Sequence, residues 1–227
     1  MSSADSRRSF LALATASVAL AACHDEADAE DVGAVEDLMR EHGVIRRVLV
    51  VYRESAARLR QSPTAVPPDA LQKAAKLMLN FGEDYHEKAL EEAYLFPAVK
   101  KAGGAAAGLI DPLLAQHQRG REITGYVLSV TRQAIGIGDA EPLARALESF
   151  ARMYEEHAAQ EDTVVFQAWK ASMSKKQLDE MGDLFEDIEH KTFGKDGFDD
   201  ARVAIAAIEA SLGITLAGML APAPPAR

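Results

Sequence analysis

The sequence predicts an all-α protein: an up-down four-helix bundle followed by two additional C-terminal helices. Three observations predict it. Hydrophobic residues make up 48% of the 227 and aromatic ones only 6%. Ala, Leu, Glu and Lys are abundant, which favours helix over strand. Four long stretches carry apolar residues at three- and four-residue steps, the period of a helix with one buried face. The segments between them are short and punctuated by Pro or Gly, so successive helices run antiparallel.

Composition also excludes several classes. The formal net charge is −10, and no basic patch offsets it, so nucleic acid is not an expected partner. One cysteine, Cys23, rules out an internal disulfide framework and any multi-cysteine zinc or iron–sulfur site. There is no Gly-rich phosphate loop and no Gly-x-Ser-x-Gly elbow.

Residues 1–22 form the first segment. Arg7-Arg8 precedes a mostly apolar run from Phe10 to Ala22, too short for an ordinary transmembrane helix but suited to the core of a signal peptide. Arg7-Arg8-Ser9-Phe10-Leu11 resembles a twin-arginine export signal. Leu20-Ala21-Ala22-Cys23 resembles a bacterial lipoprotein cleavage box, in which the cysteine is lipidated and becomes the new N-terminus. The expectation is an exported protein on the periplasmic side, held to a membrane by a lipid at Cys23. An acidic tether, 23–33, follows.

The bundle is expected over 34–172. In helix 34–61, Val35, Leu38, His42, Ile45, Leu49 and Tyr52 share one stripe, and Pro63 to Pro68 closes it. In helix 69–101, Leu77, Met78, Phe81, Tyr85 and Ala89 trace the stripe. Pro97 is expected to kink or end the regular part, and Gly103-Gly104 marks the turn. Helix 108–135 buries Leu113, Leu114, His117, Gly120, Thr124 and Val127, ending at Gly136 to Asp139. Helix 140–172 aligns Leu143, Leu147, Phe150, Tyr154, His157, Glu161 and Val164. A C-terminal extension, 173–213, holds helices over about 175–190 and 198–212, with His190 read as structural. The Pro- and Ala-rich tail, 214–227, is expected to be disordered.

Each long helix thus carries one histidine in its apolar stripe: His42, His86, His117 and His157. Two of the helices also repeat a block. Aligning Phe96 on Phe166 places Glu91 on Glu161 and Glu92 on Asp162. A histidine and a carboxylate one turn apart point the same way from a helix, and His157 and Glu161 have that spacing. Glu91 follows His86 by five residues, which in a regular helix diverges by about 140°. A π-bulge would restore the alignment. Glu91 is therefore the expected ligand, with Glu87 the lesser candidate. Glu92, Asp162 and Glu155 read as solvated positions. Tyr85 and Tyr154 are candidates to steady the ligands, and Arg121 could bond a bound anion or a ligand carboxylate. Four imidazoles with two carboxylates and no thiolate suit a dinuclear centre, with iron first and manganese less likely.

These residues resemble the hemerythrin-like, or HHE cation-binding, family. The matching pieces are Glu36 to His42, Tyr85-His86-Glu87 with Glu91-Glu92 and Leu95-Phe96-Pro97, Gln116 to Arg121, and His157 with Glu161-Asp162. The resemblance implies a four-helix bundle holding two iron ions in an Fe–O–Fe type centre. It further implies binding or sensing of dioxygen, another small oxidant, or iron. A di-iron oxidase or peroxidase, or an iron-binding protein without redox cycling, are the alternatives. Oxygen-carrying members have a further histidine where this chain has Arg121, which puts simple oxygen carriage in doubt.

Overall fold

The computed structural model of the protein describes residues 32–132 and 140–225. The export signal, Cys23 and the predicted helix end at Gly136 to Asp139 lie outside the described residues. Among the described residues there is no strand, and six helices make up the fold. Helix α1 is Ala34–Gln61. Helix α2 runs unbroken over 68–102, as an α-helical turn set Pro68–Leu77, a π-helical segment Met78–Leu95 and a final α-helical piece Phe96–Ala102. Helix α3 is Ile110–Thr131. Helix α4 covers 140–171, with a π-helical turn at Glu161–Val165. Helices α5, Lys175–Phe193, and α6, Gly197–Ser211, follow. None of the described helices is long and apolar enough to cross a membrane.

The first four helices close a ring in which α1 packs on α4, α4 on α3, α3 on α2 and α2 on α1. The predicted stripes supply the core: Leu38, Ile45, Leu49 and Tyr52 of α1 are buried with Leu143, Leu147, Phe150 and Tyr154 of α4. Helix α6 lies over α1 and α2, and α5 packs on α1 and the π segment of α2. Ser174 opens α5 with a capping box to Gln177, and Gly194 ends it at φ 74°, a left-handed position glycine takes without strain.

Two expectations change. Pro97 does not end α2. It is the second residue of Phe96–Ala102, where the α-helical register restarts and a missing N–H costs least. The start of the tail is ordered: Leu212 and Ile214 are buried, Ile214 N–H bonds the Glu209 carbonyl, and Ala217–Met219 forms a short 3₁₀ turn. Burying these two apolar side chains offsets the chain entropy that composition alone would leave unopposed. His190 is exposed, and its carbonyl accepts the Gly194 N–H.

Candidate metal centre

The π segment decides which side chains α2 sends inward. Phe81, His86, Glu91 and Phe96 are all buried and recur every five residues, the hydrogen-bonding step of a π-helix. The Phe96 N–H bonds the Glu91 carbonyl, five residues back. This brings His86 Nε2 to 3.3 Å from Glu91 Oε1. On α4 the regular four-residue step suffices, with His157 Nε2 3.0 Å from Glu161 Oε2. The π turn begins only at Glu161 and ends with Phe166 N–H on the Glu161 carbonyl. The five-residue spacing read from the sequence and the π geometry it required are both present.

All four histidines and both glutamates converge in the middle of the bundle, each at most 1% exposed. The imidazoles pair, His42 with His86 at 4.6 Å between ring centroids and His117 with His157 at 4.7 Å. Phe166 stacks on His42 and Phe96 on His117. Each glutamate serves both pairs. Glu91 reaches His86 and, through Oε2 at 3.4 Å, His117 Nε2. Glu161 reaches His157 and His42 Nε2, the latter at 3.4 Å. The donor atoms cluster as Glu91, His117, His157 and Glu161 on one side and His42, His86 and Glu91 on the other.

The outward nitrogens are held in a ring that runs around the bundle. Asp162 of α4 takes His42 Nδ1 of α1 at 2.7 Å, and Glu41 of α1 takes His86 Nδ1 of α2 at 2.6 Å. Glu92 of α2 takes His117 Nδ1 of α3 at 2.8 Å, and Gln116 of α3 takes His157 Nδ1 of α4 at 2.9 Å. All four Nε2 atoms face inward, His117 Nε2 and His157 Nε2 sharing a hydrogen bond at 3.1 Å, and an outward bond at Nδ1 is the arrangement that fixes ring angle in histidine–metal sites. Each orienting residue is the chain neighbour of a converging one: Glu41 of His42, Glu92 of Glu91, Gln116 of His117, Asp162 of Glu161. Arg46, four residues after His42, binds Asp162, and Arg121, four after His117, binds Glu92.

This corrects the reading of Glu92 and Asp162 as solvated positions. Asp162 is only 9% exposed, and both carboxylates are engaged by an imidazole and a guanidinium. The π register turns them inward from where an α-helical wheel would place them. Glu155 does lie outside, paired with Arg53. Tyr154 packs its ring on His157, with centroids 4.9 Å apart. Tyr154 donates to Glu87 Oε1 at 3.0 Å, while the Tyr85 ring packs on Phe81 and Phe193. Glu87, the lesser ligand candidate, lies outside the central six but forms a further possible metal-holding group with Glu92 and His117. It accepts from Tyr154 and Arg121 and lies on the Nδ1 side of His117. Arg121 is engaged by carboxylates rather than open to an anion. No local signal in the sequence marks the orienting residues, since polar neighbours flank ligands that they do not serve.

The electrostatics suit a cation. Burial opposes charge on His86, yet Glu91 and Glu41 hold its pKa well above the usual imidazole value. Burial is likewise overcome at His117, which the nearby Glu91 carboxylate and the bond to Glu92 carry to about 10, and at His42, raised by Asp162 and Glu161. Glu161 is held well below the usual carboxylate range against its burial, chiefly by His157 and then His42, and Glu92 falls to about 2 through its bonds to His117 and Arg121. The raised imidazoles and the lowered Glu161 both show a pocket that favours positive charge. Raised imidazole values stabilise the metal-free fold fully below pH 6.5, and that part is lost as pH rises through about 10. We expect the Tm of chelator-treated protein to fall between pH 6.5 and 10, and metal uptake at pH 7 to release more than one proton per chain in paired-buffer calorimetry. A flat Tm with no proton release would contradict this.

The donor set tests well against a metal pair. His42 Nε2, His86 Nε2 and all four carboxylate oxygens of Glu91 and Glu161 are buried without a hydrogen-bond partner. Unpartnered buried polar atoms are costly and rare, and here six of them point at one another's neighbours. Four imidazoles with two shared carboxylates would satisfy them by holding two cations. Asp162→Asn is expected to weaken metal binding about 10- to 100-fold, as loss of an orienting carboxylate does, measured by competition with a chromophoric chelator. Unchanged affinity would remove the ring of orienting contacts from the account.

Comparison with known proteins agrees with this geometry. The family described as Hemerythrin HHE cation binding domain matches residues 33–169. Uncharacterized proteins of Mycobacterium bovis and Mycobacterium tuberculosis are each 44% identical over 185 residues, covering 81% of this chain and 71% of the relative. No solved structure matches the chain significantly. With more than half its length matched and the histidine–carboxylate cluster in place, the chain belongs to the hemerythrin HHE cation-binding domain family.

Proposed function

We propose that this is a non-haem di-iron protein that binds or senses dioxygen, another small oxidant, or iron at the cell envelope. The observation that carries the reading is the inward convergence of four imidazole nitrogens on two carboxylates that each touch both histidine pairs. His42, His86, Glu91, His117, His157 and Glu161 would hold two ions there. Iron so held would supply redox chemistry toward an oxidant, and the protein's part is to orient the donors and exclude water. The thiolate-free ligand set of imidazole and carboxylate suits iron, with manganese second. The envelope location rests on Arg7-Arg8 and the Leu20-Ala21-Ala22-Cys23 box.

The test is metal content and optical spectrum of protein purified without added metal and exposed to air. Two irons per chain with an oxo-to-iron charge-transfer band are expected. Zinc alone, or no metal, would overturn the reading. Cell fractionation tests the anchor: Cys23→Ala is expected to move the protein from the membrane to the soluble fraction, and no movement would remove the lipid from the account.

A further inference from the structure

The ring of orienting contacts is symmetric in geometry but not in charge. Asp162 orients His42 and is matched by the Arg46 guanidinium; Glu92 orients His117 and is matched by Arg121. These two arms are alike. The other two differ. His86 is oriented by Glu41, a buried carboxylate whose described ionic partner is His86 itself. His157 is oriented by Gln116, a neutral amide at 2.9 Å. Arg121 is shared by Glu92 and Glu87, so the difference lies in the groups that bond the imidazoles themselves: two carboxylates, Asp162 and Glu41, at the His42–His86 position, against one carboxylate, Glu92, and one amide, Gln116, at the His117–His157 position. A carboxylate behind an imidazole raises its basicity and its hold on a cation, and an amide does so less.

Resting on the two-metal reading above, we infer that the two positions hold metal unequally: the His42–His86 position fills first and keeps its ion, while the His117–His157 position is the exchangeable one, with the Glu41/Gln116 difference as the determinant. Glu41 and Gln116 are positioning residues here, since they touch the imidazoles and not the ion. Glu91 and Glu161 each reach a histidine of both pairs, Glu161 lying nearer His157 than His42, so the ordering rests on the outer contacts and not on the shared carboxylates. Glu87 is the other buried carboxyl near the second position. Its oxygens are taken by Tyr154 and Arg121, and it stands 3.9 Å from His117 Nδ1. The arrangement gives a protein that passes through a one-metal state over a range of metal concentration before completing its centre.

The experiment titrates chelator-treated full-length protein with cobalt(II) without oxygen, following the optical d–d bands and the heat. Wild type should bind two ions in steps at least about tenfold apart, in line with the effect of an orienting carboxylate. Gln116→Glu should bring the steps together by tightening the second. Glu41→Gln should weaken the first about 10- to 100-fold. Glu87→Gln should leave the separation unchanged. His157→Gln should retain one tight ion and His86→Gln only a weak one, with far-UV circular dichroism and Tm verifying that each variant is folded. A single two-ion step in wild type, an unchanged separation in Gln116→Glu, a changed one in Glu87→Gln, or a tight ion surviving His86→Gln would overturn the inference. Absence of any cobalt binding would instead overturn the two-metal reading on which it rests.

Discussion

Replacing Glu161 by alanine is expected to leave a folded protein that has lost its paired metal. Glu161 stands at the meeting point of three helices' ligands, with Oε2 3.4 Å from His42 Nε2 and 3.0 Å from His157 Nε2, and Oε1 4.0 Å from His117 Nε2. No other carboxylate reaches His42 and His157 together among the described residues. Alanine leaves both without a shared anion, so metal content should fall from two ions per chain to one or none. Breaking a buried ion pair ordinarily costs about 3–5 kcal/mol, because a charge is stranded. Here His42 escapes much of that cost, because Glu161 is one of the two carboxylates that raise it, and it gives up a proton more readily once Glu161 is gone. Repulsion between Glu161 and Glu91 is relieved as well. The metal-free variant should therefore unfold close to metal-free wild type at pH 7. Elemental analysis and thermal unfolding, measured side by side, check both halves. Unchanged metal content would show that Glu161 is not a ligand.

The largest stability effect is expected at Trp169, which is neither a proposed ligand nor one of the orienting residues. Trp169 is 1% exposed and stacks on Phe185 of α5, with centroids 5.8 Å apart and planes 8° from parallel. Tyr94 of α2 meets the same Phe185 ring at 6.1 Å. One aromatic side chain of α5 thus sits between two bundle helices. Trp169→Ala removes the larger wall of that seat and should cost about 3–5 kcal/mol. For a chain of this size that is a Tm lower by roughly 10 °C. All six proposed ligands lie on α1 to α4, so metal stoichiometry should hold while α5 gains hydrogen exchange. A Tm change under about 2 °C would show that the stack is peripheral to stability.

Particular residues show how far the sequence could be read. The stripes of α1 and α4 are regular, and Leu38, Leu49, Leu147 and Phe150 fell on the buried face as their spacing implied. His42, His117 and His157 could be picked out because each interrupts such a stripe, and a buried imidazole needs a partner. Glu91 required more, since its alignment with His86 depends on a hydrogen-bond register that spacing suggests but does not impose. Glu41 and Gln116 were not singled out at all. Nothing in the local pattern of either distinguishes an orienting group from an ordinary polar residue on a helix flank.

The sequence by itself determined the all-α class, the four long helices, the histidine on each and the repeated histidine–glutamate block. Those follow from helical periodicity and from the spacing of side chains on one element, which are local properties of the chain. Only the tertiary structure decided that each imidazole is held by the chain neighbour of a ligand on another helix, that Glu92 and Asp162 belong to the site, and that Glu87 does not join the converging set. Such contacts join residues up to 120 positions apart. They depend on how adjacent helices are rotated about their axes, and in α2 that rotation is set by a π register sustained from Met78 to Leu95.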